Sequence, residues 1–192
     1  MLFHQKIAVF ASGAGSNAQK IIEFFSGKQI SVALVVSNNQ KSGVLEIARK
    51  QQIATLLIEK EQFFKGNAYV DELKEAGVQF IVLAGFLWKI PPALIQAFPH
   101  CIINIHPALL PKYGGKGMYG HLVHEAVIKN REKESGITIH YVDEVYDHGK
   151  IIFQATCPVL SDDDAASLAN RIHLLEHEYY PQIIKELLHN SK

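Results

Sequence analysis

Cysteine is scarce in this sequence: there are two, Cys101 and Cys157, and they form no C-x-x-C pair. A disulfide-stapled scaffold is thereby excluded, and both residues read as buried free thiols in a reducing compartment. Long apolar runs are also missing, since none approaches the roughly 18 residues of a membrane span. The first six residues lead straight into a strand-like segment, with no signal-peptide cleavage site. Charge of one sign is not in excess, at 19 acidic against 19 basic residues, and no long Lys/Arg run occurs. That balance gives no support for a nucleic-acid binder, but leaves open a phosphorylated small molecule, which needs only a local site. A G-x-S-x-G nucleophile elbow is absent, as are repeats, linkers and low-complexity tracts. The expectation is one cytoplasmic domain over residues 1–192, without membrane or nucleic-acid partners.

What is present alternates. β-rich runs at 6–11, 30–37, 54–58 and 80–83 are separated by helical spacing at 17–25, 43–50 and 67–76. The runs are nearly continuous in apolar residues, as in strands of a parallel sheet covered on both faces. An α/β fold follows, an open, mostly parallel twisted sheet flanked by helices. Pro91-Pro92 opens a short helix, and a strand at 101–105 precedes a Gly-rich loop and a helix at 121–129. Strands at 136–142 and 151–159 alternate enough to suggest a partly exposed, antiparallel edge. Asp162, Asp163 and Asp164 offer N-caps for a last amphipathic helix reaching about Leu188.

Three segments carry candidate chemistry. Ser12-Gly13-Ala14-Gly15-Ser16-Asn17 joins the first strand to the first helix, where free amides and the helix dipole favour an anion. It scans as a dinucleotide fingerprint, yet the second strand ends Val36-Ser37-Asn38-Asn39 without the acid that would hold ribose hydroxyls. Gly15, Ser16 and Asn17 suit a phosphate monoester better; a tight βα turn without ligand is the alternative. Asn104-Ile105-His106-Pro107 sits at a strand's carboxyl end, where alternation puts Asn104 and His106 on one side. A carboxamide and an imidazole so placed can face one reacting carbonyl, the first donating to an oxyanion and the second also moving protons. A structural role for the pair is the alternative. Asp147, before Gly149, can supply a carboxylate that favours the charged form of a nearby histidine, or lie in a solvated acidic turn.

In order along the chain, Ser12-Gly13-Ala14-Gly15-Ser16-Asn17, Leu83-Ala84-Gly85-Phe86, Asn104-Ile105-His106-Pro107 with Leu109-Leu110-Pro111-Lys112-Tyr113, and Asp147 before Gly149 resemble the folate-dependent phosphoribosylglycinamide formyltransferase family. The likeness runs from about Lys6 to Pro181. It implies a Rossmann-like formyltransferase fold and formyl transfer from 10-formyltetrahydrofolate to the amine of glycinamide ribonucleotide, a step of purine biosynthesis. It implies a catalytic trio of Asn104, His106 and Asp147, with the pairing of the last two resting on the resemblance. Gly15, Ser16 and Asn17 would hold the phosphate and Glu176 the glycinamide substrate. Leu87, Trp88, Lys89 and Ile90, with Val142, Asp143 and Glu144, would line the folate pocket. The resemblance implies no metal and a monomer or homodimer. The chain departs from the family in the stretch 114–120, which reads as a lengthened loop. It departs also at His148, where glycine is common, and at Lys65-Gly66-Asn67, where an arginine often stands.

Other readings use other features. His173-Leu174-Leu175-Glu176-His177 scans as H-x-x-E-H, a zinc-hydrolase pattern, though little chain remains to supply a third ligand. His121 and His124 read as an exposed helix pair. A non-catalytic phosphate-binding module would explain the glycine loop but give Asn104, His106 and Asp147 no common task. Formyltetrahydrofolate hydrolases and other formyltransferases share the chemistry, but typically carry more chain than this.

Overall fold

A computed structural model describes residues 5–190, with seven strands in one sheet. The elements run β1 (Gln5–Phe10), α1 (Ser16–Phe25), β2 (Ile30–Ser37), α2 (Gly43–Lys50), β3 (Ala54–Leu57), α3 (Lys60–Lys65), α4 (Val70–Glu75), β4 (Phe80–Leu83) and α5 (Pro92–Ala97). They continue with β5 (Ile102–His106), α6 (His121–Lys129), β6 (Glu134–Tyr141), β7 (Ile151–Pro158) and α7 (Ala165–Asn190). Strand order is β3-β2-β1-β4-β5-β6-β7. The first five are parallel, while β6 runs antiparallel to both β5 and β7.

The near-continuous apolar strands are explained by two cores. Ile7, Val9 and Ala11 pack on one face of the sheet with α1, α2 and α7, while Ala8 and Phe10 pack on the other with residues of α3, α4 and α5. Helix α1 buries Ala18, Ile21, Ile22 and Phe25, the i, i+3, i+4, i+7 stripe of a helix lying on a sheet. Helix α7 is capped as expected: the Ser167 amide donates to Asp164 Oδ1 at 2.8 Å, and the Asp164 amide to Ser167 Oγ at 3.0 Å.

The order reverses between β1 and β4, the switch point at which open α/β sheets hold ligands. Register aligns Phe10 with Leu83 and Leu83 with Asn104, so the carboxyl ends of β1, β4 and β5 form one ledge. Across the antiparallel junction, Asn104 pairs with His140 of β6.

One helical expectation is corrected and one helix is added. The segment 67–76 is helical only from Val70: Ala68 and Tyr69 adopt left-handed φ of 55° and 60°, and the Asn67 side chain accepts from the Tyr69 amide at 3.0 Å. Local side-chain bonding of this kind competes with helix. Helix α3 was not expected at all, because six residues span too few turns to show a period. Strand limits at β5, β6 and β7 differ from expectation by one or two residues.

Gly149 closes the β6–β7 connection. A Cβ there would run into the Tyr141 carbonyl oxygen, beside the Tyr141 amide to Lys150 carbonyl bond of 3.0 Å. Gly149→Ala is expected to destabilise the fold by about 1–3 kcal/mol, the usual range for overpacking. A denaturant midpoint equal to wild type would show that the loop can yield.

Candidate active site

A cleft of about 810 Å³ opens over the ledge, and its walls come from six chain segments. The first is the β1–α1 turn. Gly15 caps α1 with φ 86°, a left-handed geometry, and its missing Cβ leaves room for Val44, whose Cβ would lie 2.7 Å away. Ser16 and Asn17 therefore begin the helix at the cleft, with backbone amides free of intrahelical partners. The loop is tied on both sides: Asn39 Nδ2 donates to the Ser12 carbonyl at 3.3 Å, and the Leu87 amide to Ser12 Oγ at 3.0 Å. The Asn residues at the end of β2, where a dinucleotide site needs an acid, include one that braces the loop.

Asn104 and His106 project from β5 into this cleft, together with Asp147 from the β6–β7 connection. His106 Nδ1 lies 3.6 Å from Asp147 Oδ2, and Asn104 Nδ2 lies 3.5 Å from Asp147 Oδ1. His106 Nε2 donates to the Tyr113 carbonyl at 2.7 Å, and the Gly115 amide donates to Asp147 Oδ2 at 2.9 Å. A fourth side chain joins them. His140 Nε2 is 3.2 Å from Asn104 Nδ2 and 3.7 Å from Asp147 Oδ1. The sequence reading missed His140, because its only signal was the β5–β6 register, and a strand's partner cannot be read from its own pattern.

Burial and hydrogen-bonded or charged partners oppose one another at these groups, with different outcomes. His106 is 3% exposed, and desolvation pushes its pKa below the ordinary imidazole value despite the opposing pull of Asp147 and the Tyr113 carbonyl. The carboxylate acts in the expected direction, favouring the charged imidazole, but burial outweighs it and favours the neutral form. For Asp147, burial alone would raise the pKa, but His140, His106 and the Gly115 amide together hold it below the usual carboxylate range. Asp147 itself sits at φ 52°, a left-handed conformation that costs energy and persists only when surroundings hold it.

At the end of the cleft formed by the β1–α1 turn, Glu176 is 4% exposed although it occupies the buried stripe of α7 marked by Leu168, Ile172 and Tyr180. A carboxylate at a position of that stripe signals function better than its place in H-x-x-E-H. Its Oε2 accepts from Asn17 Nδ2 at 2.9 Å and from His173 Nδ1 at 2.7 Å. His124 is corrected from exposed to buried, at 3%, and lines the cleft. Its Nδ1 and the Asn17 Oδ1 are buried without a hydrogen-bond partner, as polar groups awaiting a ligand or water are. Among the described residues, no three His, Cys, Asp or Glu side chains are grouped to hold a metal ion.

The remaining wall is apolar. Leu87, Trp88, Lys89 and Ile90 line it opposite Val142, Asp143, Val145 and Tyr146, whereas Glu144 is exposed and outside the lining. Helix α3 braces this wall, with Phe63 and Phe64 rings 5.7 and 5.6 Å from that of Trp88 and Phe63 5.8 Å from Phe86. Leu87, Tyr119, Val145 and Tyr146 leave apolar surface at the mouth. In the β6–β7 loop, His148 Nδ1 pairs with Asp143 Oδ2 at 3.0 Å, so this histidine fastens the loop on the solvent side.

Comparison with known proteins gives a consistent result. The formyl transferase family model matches residues 5–184. The chloroplastic phosphoribosylglycinamide formyltransferase of Arabidopsis thaliana is 43% identical over 94% of this chain, which spans 64% of that protein. The phosphoribosylglycinamide formyltransferase of Bacillus subtilis is 37% identical, with 96% of this chain and 95% of that one covered. The crystal structure of phosphoribosylglycinamide formyltransferase from Anaplasma phagocytophilum superposes with a TM-score of 0.89 at 34% identity, over 98% of this chain and 89% of that one. With its strand order, its ledge and these likenesses, the chain belongs to the formyl transferase family.

Proposed function

We propose that this chain, as a single formyltransferase domain, transfers the formyl group of 10-formyltetrahydrofolate to the amine of glycinamide ribonucleotide in purine biosynthesis, in the cytoplasm. The observation that carries the reading is the convergence of Asn104, His106 and Asp147 on the ledge between an anion-binding turn and an apolar slot. The turn at Gly15, Ser16 and Asn17 suits the ribonucleotide phosphate, and Glu176 suits the hydroxyl and amide groups behind it. The slot between Leu87, Trp88, Ile90 and Val142 suits a flat heteroaromatic ring, with Lys89 able to meet a carboxylate outside.

The residues then divide the reaction. The substrate amine attacks the formyl carbon, and the carbonyl electrons move onto oxygen. The Asn104 amide donates to that oxyanion. A neutral His106 accepts the proton that the amine loses, and Asp147 at 3.6 Å stabilises the imidazolium so formed. This attraction is absent before the proton arrives, so it favours the transition state over bound substrate. Collapse breaks the bond to the folate nitrogen, which takes the proton back.

The test is folate release from 10-formyltetrahydrofolate with and without glycinamide ribonucleotide. Release that depends on the ribonucleotide is expected. Equal release without it would replace this reading by a hydrolase, and no release from folded protein would remove the donor. Ser16→Ala should raise the acceptor KM about three- to tenfold, the worth of one hydrogen bond, with kcat nearly unchanged. A pure kcat loss would move Ser16 away from the phosphate.

A further inference from the structure

The strap from Leu110 to Gly115 touches both members of the His106–Asp147 pair, one through a carbonyl and one through an amide. Its start is fixed in the core: the Leu110 amide donates to Thr138 Oγ1 at 3.0 Å, and Gln154 Nε2 donates to the Leu110 carbonyl at 3.1 Å. It then turns through Tyr113, which has φ 58°, an outlier for a bulky residue. Such strain survives only where contacts over-determine it. The contacts lie outside the cleft. Tyr113 Oη donates to Glu132 Oε1 at 2.9 Å and accepts from Asn130 Nδ2 at 2.9 Å, while Lys112 Nζ pairs with Glu132 at 3.0 Å.

That turn has two consequences at the site. The Tyr113 carbonyl accepts a hydrogen bond from His106 Nε2 at 2.7 Å, and two residues on the Gly115 amide donates one to Asp147 Oδ2 at 2.9 Å. The strap lies against Asp147 closely enough that a Cβ on Gly114 would come within 3.2 Å of the Asp147 Cβ. Two left-handed residues, Tyr113 and Asp147, thus hold one another's geometry through Gly115.

We infer that Tyr113 is a positioning residue for the formyl-transfer site: its hydroxyl, clamped by Glu132 and Asn130, sets the strap that orients His106 and Asp147. The inference rests on the proposed roles of those two residues. It makes the pair Tyr113–Glu132, outside the cleft, control a group inside it.

The readout is His106 itself. The groups facing it are Asp147 from the β6–β7 connection, His140 from β6, His124 from α6 and Glu176 from α7, none of which a change at the Tyr113 hydroxyl removes. In Tyr113→Phe, kcat should fall about ten- to hundredfold, the scale of a misplacement near 1 Å, with KM for both substrates within about twofold. The His106 titration followed by NMR should move to lower pH, because the Tyr113 carbonyl that raises it is released. Glu132→Ala should cause both changes, and Glu132→Gln, which keeps an acceptor oxygen, should restore most of each. Normal kcat with an unmoved His106 titration in Tyr113→Phe and Glu132→Ala would overturn the inference. So would a kcat loss that tracks lost thermal stability while the titration stays put. If His106→Ala turns over normally, the catalytic reading fails first; if it is inactive while Tyr113→Phe is normal, only the positioning role fails.

Discussion

Turnover in His106→Ala is expected to fall by about two to four orders of magnitude, the contribution of a positioned acid–base group. The size follows from where the imidazole stands. It lies at the carboxyl end of β5 with an exposure of 3%; its Nε2–H donates to the Tyr113 carbonyl, which leaves Nδ1, 3.6 Å from Asp147, as the nitrogen that can accept a proton. Alanine removes the proton acceptor and leaves Asp147 without one of the two imidazoles that lower its pKa. The acceptor KM should change little, since the β1–α1 turn and Glu176, proposed to hold the acceptor, lie elsewhere in the cleft. The truncation also opens a cavity, so His106→Asn is the companion variant. It fills more of the space and still cannot accept a proton at neutral pH, so it should be equally slow. Steady-state kinetics on both variants decide the matter: turnover within about tenfold of wild type in either would remove His106 from the proton path.

Much of this arrangement was legible in the sequence because the relevant physics is local. The glycine turn announces itself: Gly15 precedes a helix with Ala18, Ile21, Ile22 and Phe25 on one stripe, and both features occupy consecutive positions. The parallel half of the sheet follows from apolar runs covered on both faces. Asn104 and His106 share a side by strand alternation alone. What could not be read depends on partners distant in sequence. His140 joins the site through antiparallel register with Asn104, and nothing in Glu134–Tyr141 announces that neighbour. The neutral state of His106 depends on burial from several elements, whereas sequence reasoning sees only that a carboxylate would favour the charge. His124 looked exposed beside His121, yet α6 turns it against α7, where its Nδ1 is buried without a partner. Helix α3 is too short to show a period, and its two aromatic rings still support the slot wall.

Asp147→Asn should lower kcat by about two to three orders of magnitude, through loss of the charge that stabilises a protonated His106. This substitution isolates charge from shape. Asparagine tolerates the left-handed φ of 52° at position 147, and its side-chain oxygen can still accept the Gly115 amide hydrogen. Alanine would lose both properties and mix strain with electrostatics. The pH profile should then move in a defined direction. Asp147 raises the His106 pKa, so removing it leaves burial less opposed and the pKa falls further. If His106 must be neutral to accept the amine proton, activity rises with pH through that pKa, and the acid limb of kcat/KM lies lower in the variant. Profiles measured over about pH 5 to 9 would read this limb in the free enzyme. A limb that stays in place would detach Asp147 from His106, and one that moves upward would mean that the carboxylate works against protonation. The combination expected here, a slower enzyme with an acid limb at lower pH, arises because Asp147 stabilises the imidazolium both when free His106 titrates and when it takes the amine proton.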